Sequence, residues 1–514
     1  MQLKMWSYDL AREQAPTRDH LVELCRLTLD SGYNALGLYM EHRFAYPSAP
    51  WAAGRGCVTP DDVRYLQSEF PSLQLIPFVN LLGHFEGMLY TEYGKRFAEE
   101  RFQGMQACPS NPEFVKLCLA LVDDVISIFQ SDIIHIGGDE TAQLARCDRC
   151  KGDSSDPNRK AQLYGDHFGP LAERVTAAGR VPAVWGDMFL EHISALESLP
   201  KSTIIFDWQY FSSPMASSAK FIQAGHPVVC CPTIQTYNSS WMNLLQSELN
   251  IRQAVEAAEE LGASGVCVTT WECALFGNYE TLFPALESSG KILTSGEGSS
   301  VSEVEADDSL LLKGYFAGGD ELARWAKLMG VDLLQLGGPF SYSQTRSSLK
   351  ARLLLYSNPF LAWLYHGEEL SGSIGDAALE ILEEAIAIAP NSAYRGVSEF
   401  VKLAIDFIRY AEQARQAYAN ELPGVATSTL APCRQIFTNL EKIAYATHKR
   451  IGGSLADVER CRRAKLHIET VIKRIKEYGD GSLGYLPAFE IISHPKFMPH
   501  DQACWWLINK WANE

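Results

Sequence analysis

From residue 3 to about 290, short strand-like runs alternate with longer amphipathic stretches, and no other feature limits the fold of this chain so tightly. The runs fall at 3–9, 35–40, 73–79, 133–137, 181–185, 203–208, 227–231 and 265–271. Parallel strands need a crossover between them, and the amphipathic stretches supply it as helices. Eight such units are expected to close into a (β/α)8 TIM barrel, an α/β fold whose chemistry sits at the C-terminal strand ends. At 514 residues the chain also has room for a second domain. The small, polar, acidic stretch 294–305 reads as a linker. Beyond it, 377–389, 397–419 and 454–478 carry apolar residues at helical spacing. The expected organisation is a catalytic barrel over 1–293 and an all-α C-terminal domain over 305–514. The aromatic tail from Trp505 to Trp511 is expected to dock on the chain's own body.

Charge narrows the partners. The 45 Lys plus Arg against 62 Asp plus Glu give a formal charge of −17, which argues against nucleic acid or an anionic membrane and leaves neutral sugars compatible. No run reaches the ~20 apolar residues of a membrane span, and Met1 to Trp6 has no long apolar signal core. Thirteen cysteines, mostly in apolar segments such as Val229-Cys230-Cys231 and Val266-Cys267-Val268, read as reduced core residues. The expectation is a soluble cytoplasmic protein; association into a homo-oligomer stays open.

The segment Ile133-Ile134-His135-Ile136-Gly137-Gly138-Asp139-Glu140-Thr141 runs a strand through two glycines into adjacent carboxylates. Side chains alternate faces along a strand, so neighbouring acids can share one site only if the backbone turns there, which the glycines permit. Two carboxyl groups with separate tasks at one centre suit glycoside hydrolysis, one delivering a proton and the other supporting positive charge on the sugar. The competing reading is a helix start with Asp139 as its N-cap.

His135-Ile136-Gly137-Gly138-Asp139-Glu140 resembles the signature of the family 20 glycoside hydrolases, the β-N-acetylhexosaminidases. Tyr39-Met40-Glu41-His42-Arg43-Phe44, Ile76-Pro77-Phe78-Val79, Gly83-His84-Phe85-Glu86 and Cys108-Pro109-Ser110-Asn111-Pro112-Glu113 agree in order and look most like the branch that includes hexosaminidase D. The resemblance covers roughly residues 1 to 290. It implies exo-acting, retaining release of a terminal β-linked N-acetylglucosamine or N-acetylgalactosamine, with the substrate's own 2-acetamido oxygen as nucleophile and an oxazolinium intermediate. On matching positions, Asp139 would orient the acetamido group and Glu140 would serve as acid and then base. Trp185, Trp208 and Trp271 would wall the sugar, Tyr237 would donate to the acetamido carbonyl, and His84 with Glu41 would stand behind the proton donor. Glu272 and Glu280 are alternatives for gripping sugar hydroxyls. Many members carry an arginine early in the first strand; the nearest position here is Lys4, and Arg12 either substitutes for it or sits outside the site, so the preference at carbon 4 stays open.

Cys147-Asp148-Arg149-Cys150 has metal-ligand spacing, but tetrahedral zinc would need two more ligands, from Cys57, Cys108 or a histidine; free thiols are the default reading. The proposed hydrolysis needs no cofactor and no metal. The alternatives are another acetamido-assisted glycosidase on a barrel with an endo mode, a carbohydrate-binding barrel without turnover, and a chief role for the helical domain in association.

Overall fold

The computed structural model describes all residues except 1, 12–15, 55, 101–104, 151–155, 157, 236–240, 272–278, 296–301, 341–353, 356–357, 452–454 and 482–514. The strands are β1 (Leu3–Asp9), β2 (Ala35–Tyr39), β3 (Gln74–Phe78), β4 (Ile133–His135), β5 (Val181–Trp185), β6 (Ile204–Trp208), β7 (Val228–Cys231), β8 (Thr233–Gln235) and β9 (Gly265–Thr270). Pairing runs in parallel from β1 to β7 and on to β9, and β9 pairs with β1, which closes an eight-stranded barrel. The three-residue β8 lies beside β9 and outside the ring.

All eight expected runs are barrel strands. β4 stops at His135 instead of 137, because Gly137 and Gly138 take φ values of +78° and +111° and leave the extended region. The tracts between are helical, in order α1 (Arg18–Asp30), α2 (Pro60–Glu69), α3 (Glu86–Leu89), α4 (Pro112–Ile128), α5 (Arg159–Ala177), α6 (Asp187–Glu191), α7 (Met215–Gln223), α8 (Leu244–Leu261) and α9 (Phe283–Ser295). Caps are specified locally: the Thr59 hydroxyl and the Asp62 carboxylate close a capping box on α2, and Asn111 caps α4.

Alternate residues of the strands fill the barrel. Met5, Tyr39, Ile76, Phe78, Ala183, Trp185, Phe206, Val229, Cys231 and Cys267 form one buried cluster. Gly37 makes room for it, since a Cβ there would lie 2.6 Å from Cε2 of Phe78. His135 is fully buried and stacks on Phe78 with ring centroids 4.3 Å apart. Burial drives its pKa well below the ordinary value, so the ring is neutral. Its Nδ1 accepts from the Gly137 N–H at 3.1 Å, which places the proton on Nε2. On the outside, the Trp6 indole donates to Thr28 Oγ1 at 2.8 Å and pins α1 to β1.

The chain divides into two compact units. One comprises Met1–Ile234, Gln246–Trp271 and Phe283–Leu311 and holds the barrel; the other comprises Gln235–Leu245, Glu272–Leu282 and Leu312–Glu514. The second is mainly helical, with long helices Ser373–Ile388, Ser392–Ala419, Cys433–Ile451 and Ala456–Gly479. Trp325 is fully buried within it, edge-on to Trp241 and to Tyr394 at 4.8 Å each, and donates to Ser398 Oγ at 2.9 Å. The Trp241 indole donates to Thr281 Oγ1 at 3.1 Å, and the Tyr315 hydroxyl to the Thr281 carbonyl at 2.7 Å. Glu412 accepts from Trp363, Arg415 and Gln416; burial works against its charge, yet these donors bring its pKa down to about 2. No described helix is long and apolar enough to cross a membrane. The aromatic tail lies outside the described residues.

Candidate active site

Three glycines let two strand-end loops press together. The positive φ at Gly137 and Gly138 turns the chain out of β4, and the Tyr164 hydroxyl donates to the Gly138 carbonyl. A Cβ on Gly138 would fall 2.5 Å from that hydroxyl. From the neighbouring β3 loop, Gly83 comes so near that a Cβ on it would lie 2.3 Å from the Asp139 carbonyl oxygen. Among the described residues the next helix begins at Arg159, and none starts directly after Asp139 for it to cap.

The approach sets His84 against both acids. His84 Nε2 lies 3.0 Å from Glu140 Oε2 and 3.4 Å from Asp139 Oδ2, while its Nδ1 faces Glu86 Oε1 at 3.9 Å. Glu41 is buried in the same group: it, His84 and Glu86 each offer an atom within 4.8 Å of the others. Burial disfavours charge on His84, but the Asp139 carboxylate, the hydrogen bond to Glu140 and the nearby Glu86 outweigh it and raise its pKa well above 6.5. The raised value favours a protonated ring that donates from Nε2 to the acids, and the group reads as a proton relay. Asp139 is nearly buried with its side chain 12% exposed, whereas that of Glu140 is 48% exposed. One acid is sheltered and its neighbour reaches solvent.

Backbone strain gathers here too. Among the described non-glycine residues, positive φ occurs at Glu41 (40°), His84 (49°) and Glu140 (48°), and elsewhere at Ala145 and Glu421. Side chains pay for this conformation with steric crowding, and it persists where surroundings enforce it, often at sites of chemistry.

Asp187 completes the acid cluster. Its Oδ2 accepts the Glu140 backbone N–H at 2.9 Å, and its Oδ1 accepts the Trp208 indole N–H at 3.3 Å. Burial and then the Asp139 charge push its pKa up to about 8, against the pull of the Glu140 amide. The Asp187 carboxyl therefore keeps its proton near neutral pH, beside the charge of Asp139.

Trp185 and Trp208 end β5 and β6, Trp271 follows β9 directly, and all three pack on the barrel core. Trp185 is fully buried, tilted to Phe78 at 5.5 Å and edge-on to Trp271 at 6.0 Å, so it presents no face to solvent and does not wall a sugar directly. Trp208 and Trp271 are half-buried. Tyr210 joins them, stacking on Trp208 at 5.1 Å and accepting from the Trp271 indole at 2.6 Å. Trp271 also meets the edge of Tyr39, whose hydroxyl accepts from Asn80.

Arg12, Tyr237 and Glu272 lie outside the described residues. Glu280 belongs to the second unit and is committed to Arg450 at 2.7 Å. Lys4 sits near the start of β1, at the barrel end opposite the acids, and its backbone N–H donates to Asn34; it does not stand in for the missing arginine. Sequence reasoning missed Asp187, Glu86 and Tyr210. Asp187 follows Trp185 by two positions at a C-terminal strand end, Tyr210 follows Trp208 likewise, and Glu86 stands inside a segment whose histidine alone drew notice.

Residues 84–271 match the model of the glycosyl hydrolase family 20 catalytic domain. No curated protein matches the chain. Among solved structures, the β-N-acetylhexosaminidase from Bacteroides fragilis NCTC 9343 is 16% identical, with 57% of this chain and 65% of that one covered and a TM-score of 0.48. The GH20 exo β-N-acetylglucosaminidase from Vibrio harveyi in complex with N-acetylglucosamine is 14% identical, with 62% and 57% covered and a TM-score of 0.49. Flavobacterium johnsoniae chitobiase is 13% identical, with 98% and 78% covered and a TM-score of 0.48. The chain spans 65% and 57% of the length of the first two of these. The family match opens at His84, runs through Asp139 and Glu140 and closes at Trp271, so the segment that carries both acids is the part of the chain similar to glycosyl hydrolase family 20.

Proposed function

We propose that the protein is a glycoside hydrolase, an exo-acting, retaining β-N-acetylhexosaminidase that releases terminal β-linked N-acetylglucosamine or N-acetylgalactosamine by substrate-assisted catalysis. The observation that carries this reading is the convergence of Asp139 and Glu140 on one imidazole nitrogen, at 3.4 and 3.0 Å. Sheltered Asp139 accepts the N–H of the 2-acetamido group and turns its carbonyl oxygen toward the anomeric carbon. That oxygen attacks as the bond to the aglycone breaks, and Glu140, the more exposed acid, gives its proton to the departing oxygen. The positive charge of the resulting oxazolinium is balanced by Asp139. Water then attacks the anomeric carbon, Glu140 takes its proton, and the ring reopens with configuration retained.

The His84 hydrogen bond supports the proton economy of this cycle. His84 meets Glu140 across 3.0 Å and holds its carboxyl in place while it gives a proton to the leaving oxygen and then takes one from water. Trp208 and Trp271 offer partly exposed aromatic surface for the C–H face and methyl of the sugar.

Rates on 4-nitrophenyl N-acetyl-β-glucosaminide and its galacto epimer, with the unacetylated glucoside as control, test the reading. Turnover of either acetamido substrate with none of the control is expected; comparable rates on the control remove the case for acetamido participation. Glu140→Gln is expected to lower turnover of a natural disaccharide by about 10²- to 10⁴-fold while sparing the activated aryl substrate. Equal disaccharide rates for variant and wild type defeat the assignment.

A further inference from the structure

We propose that Glu99, Cys108, Cys147 and Cys150 form a tetrahedral zinc site that ties the loop carrying the catalytic acids to the segments preceding α4. The four offer one sulfur or oxygen each, all within 4.8 Å of one another. Cys108 Sγ lies 3.5 Å from Cys147 Sγ and 3.3 Å from Cys150 Sγ, and Cys150 Sγ lies 3.3 Å from Glu99 Oε2. Zinc–sulfur bonds of about 2.3 Å in a tetrahedron separate neighbouring sulfurs by roughly 3.8 Å, so a shift of a few tenths of an ångström admits the ion. A disulfide requires about 2.05 Å and pairs only two sulfurs, leaving the third thiol buried beside it.

The carboxylate is the second observation. Glu99 is 3% exposed, and no Lys, Arg or His among the described residues pairs with it; the guanidinium of Arg146 goes to Glu100 at 3.1 Å. Its Oε1 is taken by the backbone N–H groups of Arg146 and Cys147 at 2.8 and 2.9 Å, which turns Oε2 toward the thiols. A buried carboxylate facing three thiols is repelled by any thiolate that forms, unless a cation sits among them. Zinc supplies that cation, displaces the thiol protons to solvent and suits a sulfur-rich tetrahedral donor set. Two further bonds fix the cage: Ser110 Oγ at 3.4 Å from Cys150 Sγ, and Arg159 Nε donating to the Cys150 carbonyl at 2.9 Å.

Cys147 follows Glu140 by seven positions, and between them Ala145 takes a φ of +66°. The ion would act on structure, since none of its ligands belongs to the acid cluster.

The test uses the full chain, purified under reducing conditions and loaded with zinc chloride, then read by elemental analysis, by thiol titration and by cobalt substitution. One zinc per chain is expected, with Cys108, Cys147 and Cys150 protected from a thiol reagent, and with a sulfur-to-cobalt charge-transfer band in the cobalt form. Cys108→Ser and Cys147→Ser are expected to weaken zinc binding by at least about tenfold and to abolish that band. Should either variant fail to fold, chelator stripping and reloading of the wild type reads the same protection reversibly. Absence of zinc after loading overturns the proposal. So does zinc retained undiminished in the serine variants, or a disulfide among these cysteines in the reduced preparation.

Discussion

At the scale of the residue, the acid cluster makes stability depend on pH in a direction that can be worked out. Asp187 keeps its proton up to about pH 8 when folded, whereas its ordinary value is 3.8. Between those values the unfolded chain binds fewer protons than the folded one, so stability falls as pH rises, by at most about 1.4 kcal/mol per unit and less where solvent screens the group. His84, raised above its own ordinary value, adds to the same sense: its contribution is full below 6.5 and is lost as pH climbs through the folded value. Asp187→Asn keeps an oxygen to accept from Glu140 or Trp208 and removes the titration. Urea unfolding at pH 5 and pH 8 is expected to show wild type losing more stability across the interval than the variant; parallel losses contradict the shifted carboxyl. Asp139 and Glu140 were legible as a pair because they are contiguous, and the structure brings both to His84. Asp187 was not, because it reaches Glu140 from 47 positions away through the pairing of β4 with β5, a neighbour relation that spacing alone does not encode.

Among the elements, the exit of β4 carries the sharpest steric constraint. Gly138→Ala meets both a φ of +111° and the Tyr164 hydroxyl at 2.5 Å. The expected loss is on the order of 3 kcal/mol in denaturant unfolding, with activity falling in step as the acids move. Gly179→Ala, at a φ of +75° with nothing within 4 Å of its Cβ, is expected to cost only about 1 kcal/mol. Combining Gly138→Ala with Tyr164→Phe removes the oxygen from the contact and is expected to restore part of the stability; no recovery would assign the whole loss to the backbone. The barrel strands were readable because each is a short, largely apolar run set between amphipathic stretches, from Ala35–Tyr39 to Gly265–Thr270. Thr233–Gln235 was not, since three residues after a proline carry no period.

For the whole molecule, the division into units crosses the chain more than once. Gln235–Leu245 and Glu272–Leu282 belong with the helical unit, where Trp241 is 2% exposed and packs on Trp325 and Tyr315. Nothing in the composition of those short segments separates a barrel loop from a piece of another core, so this arrangement was not legible from sequence. A fragment ending at residue 311 keeps Trp241 and loses both aromatic partners. It is expected to bind a hydrophobic dye and to aggregate at concentrations where the full chain stays dispersed; a dispersed fragment that binds no dye would show that these segments need no helical partner. The same feature bears on how the protein is made. Trp241 and Thr281 leave the ribosome well before Trp325 and Tyr394, so during synthesis an indole destined for a buried core waits in the open while the strands around it are already able to pair, and a chaperone or a translational pause has an interval in which to act.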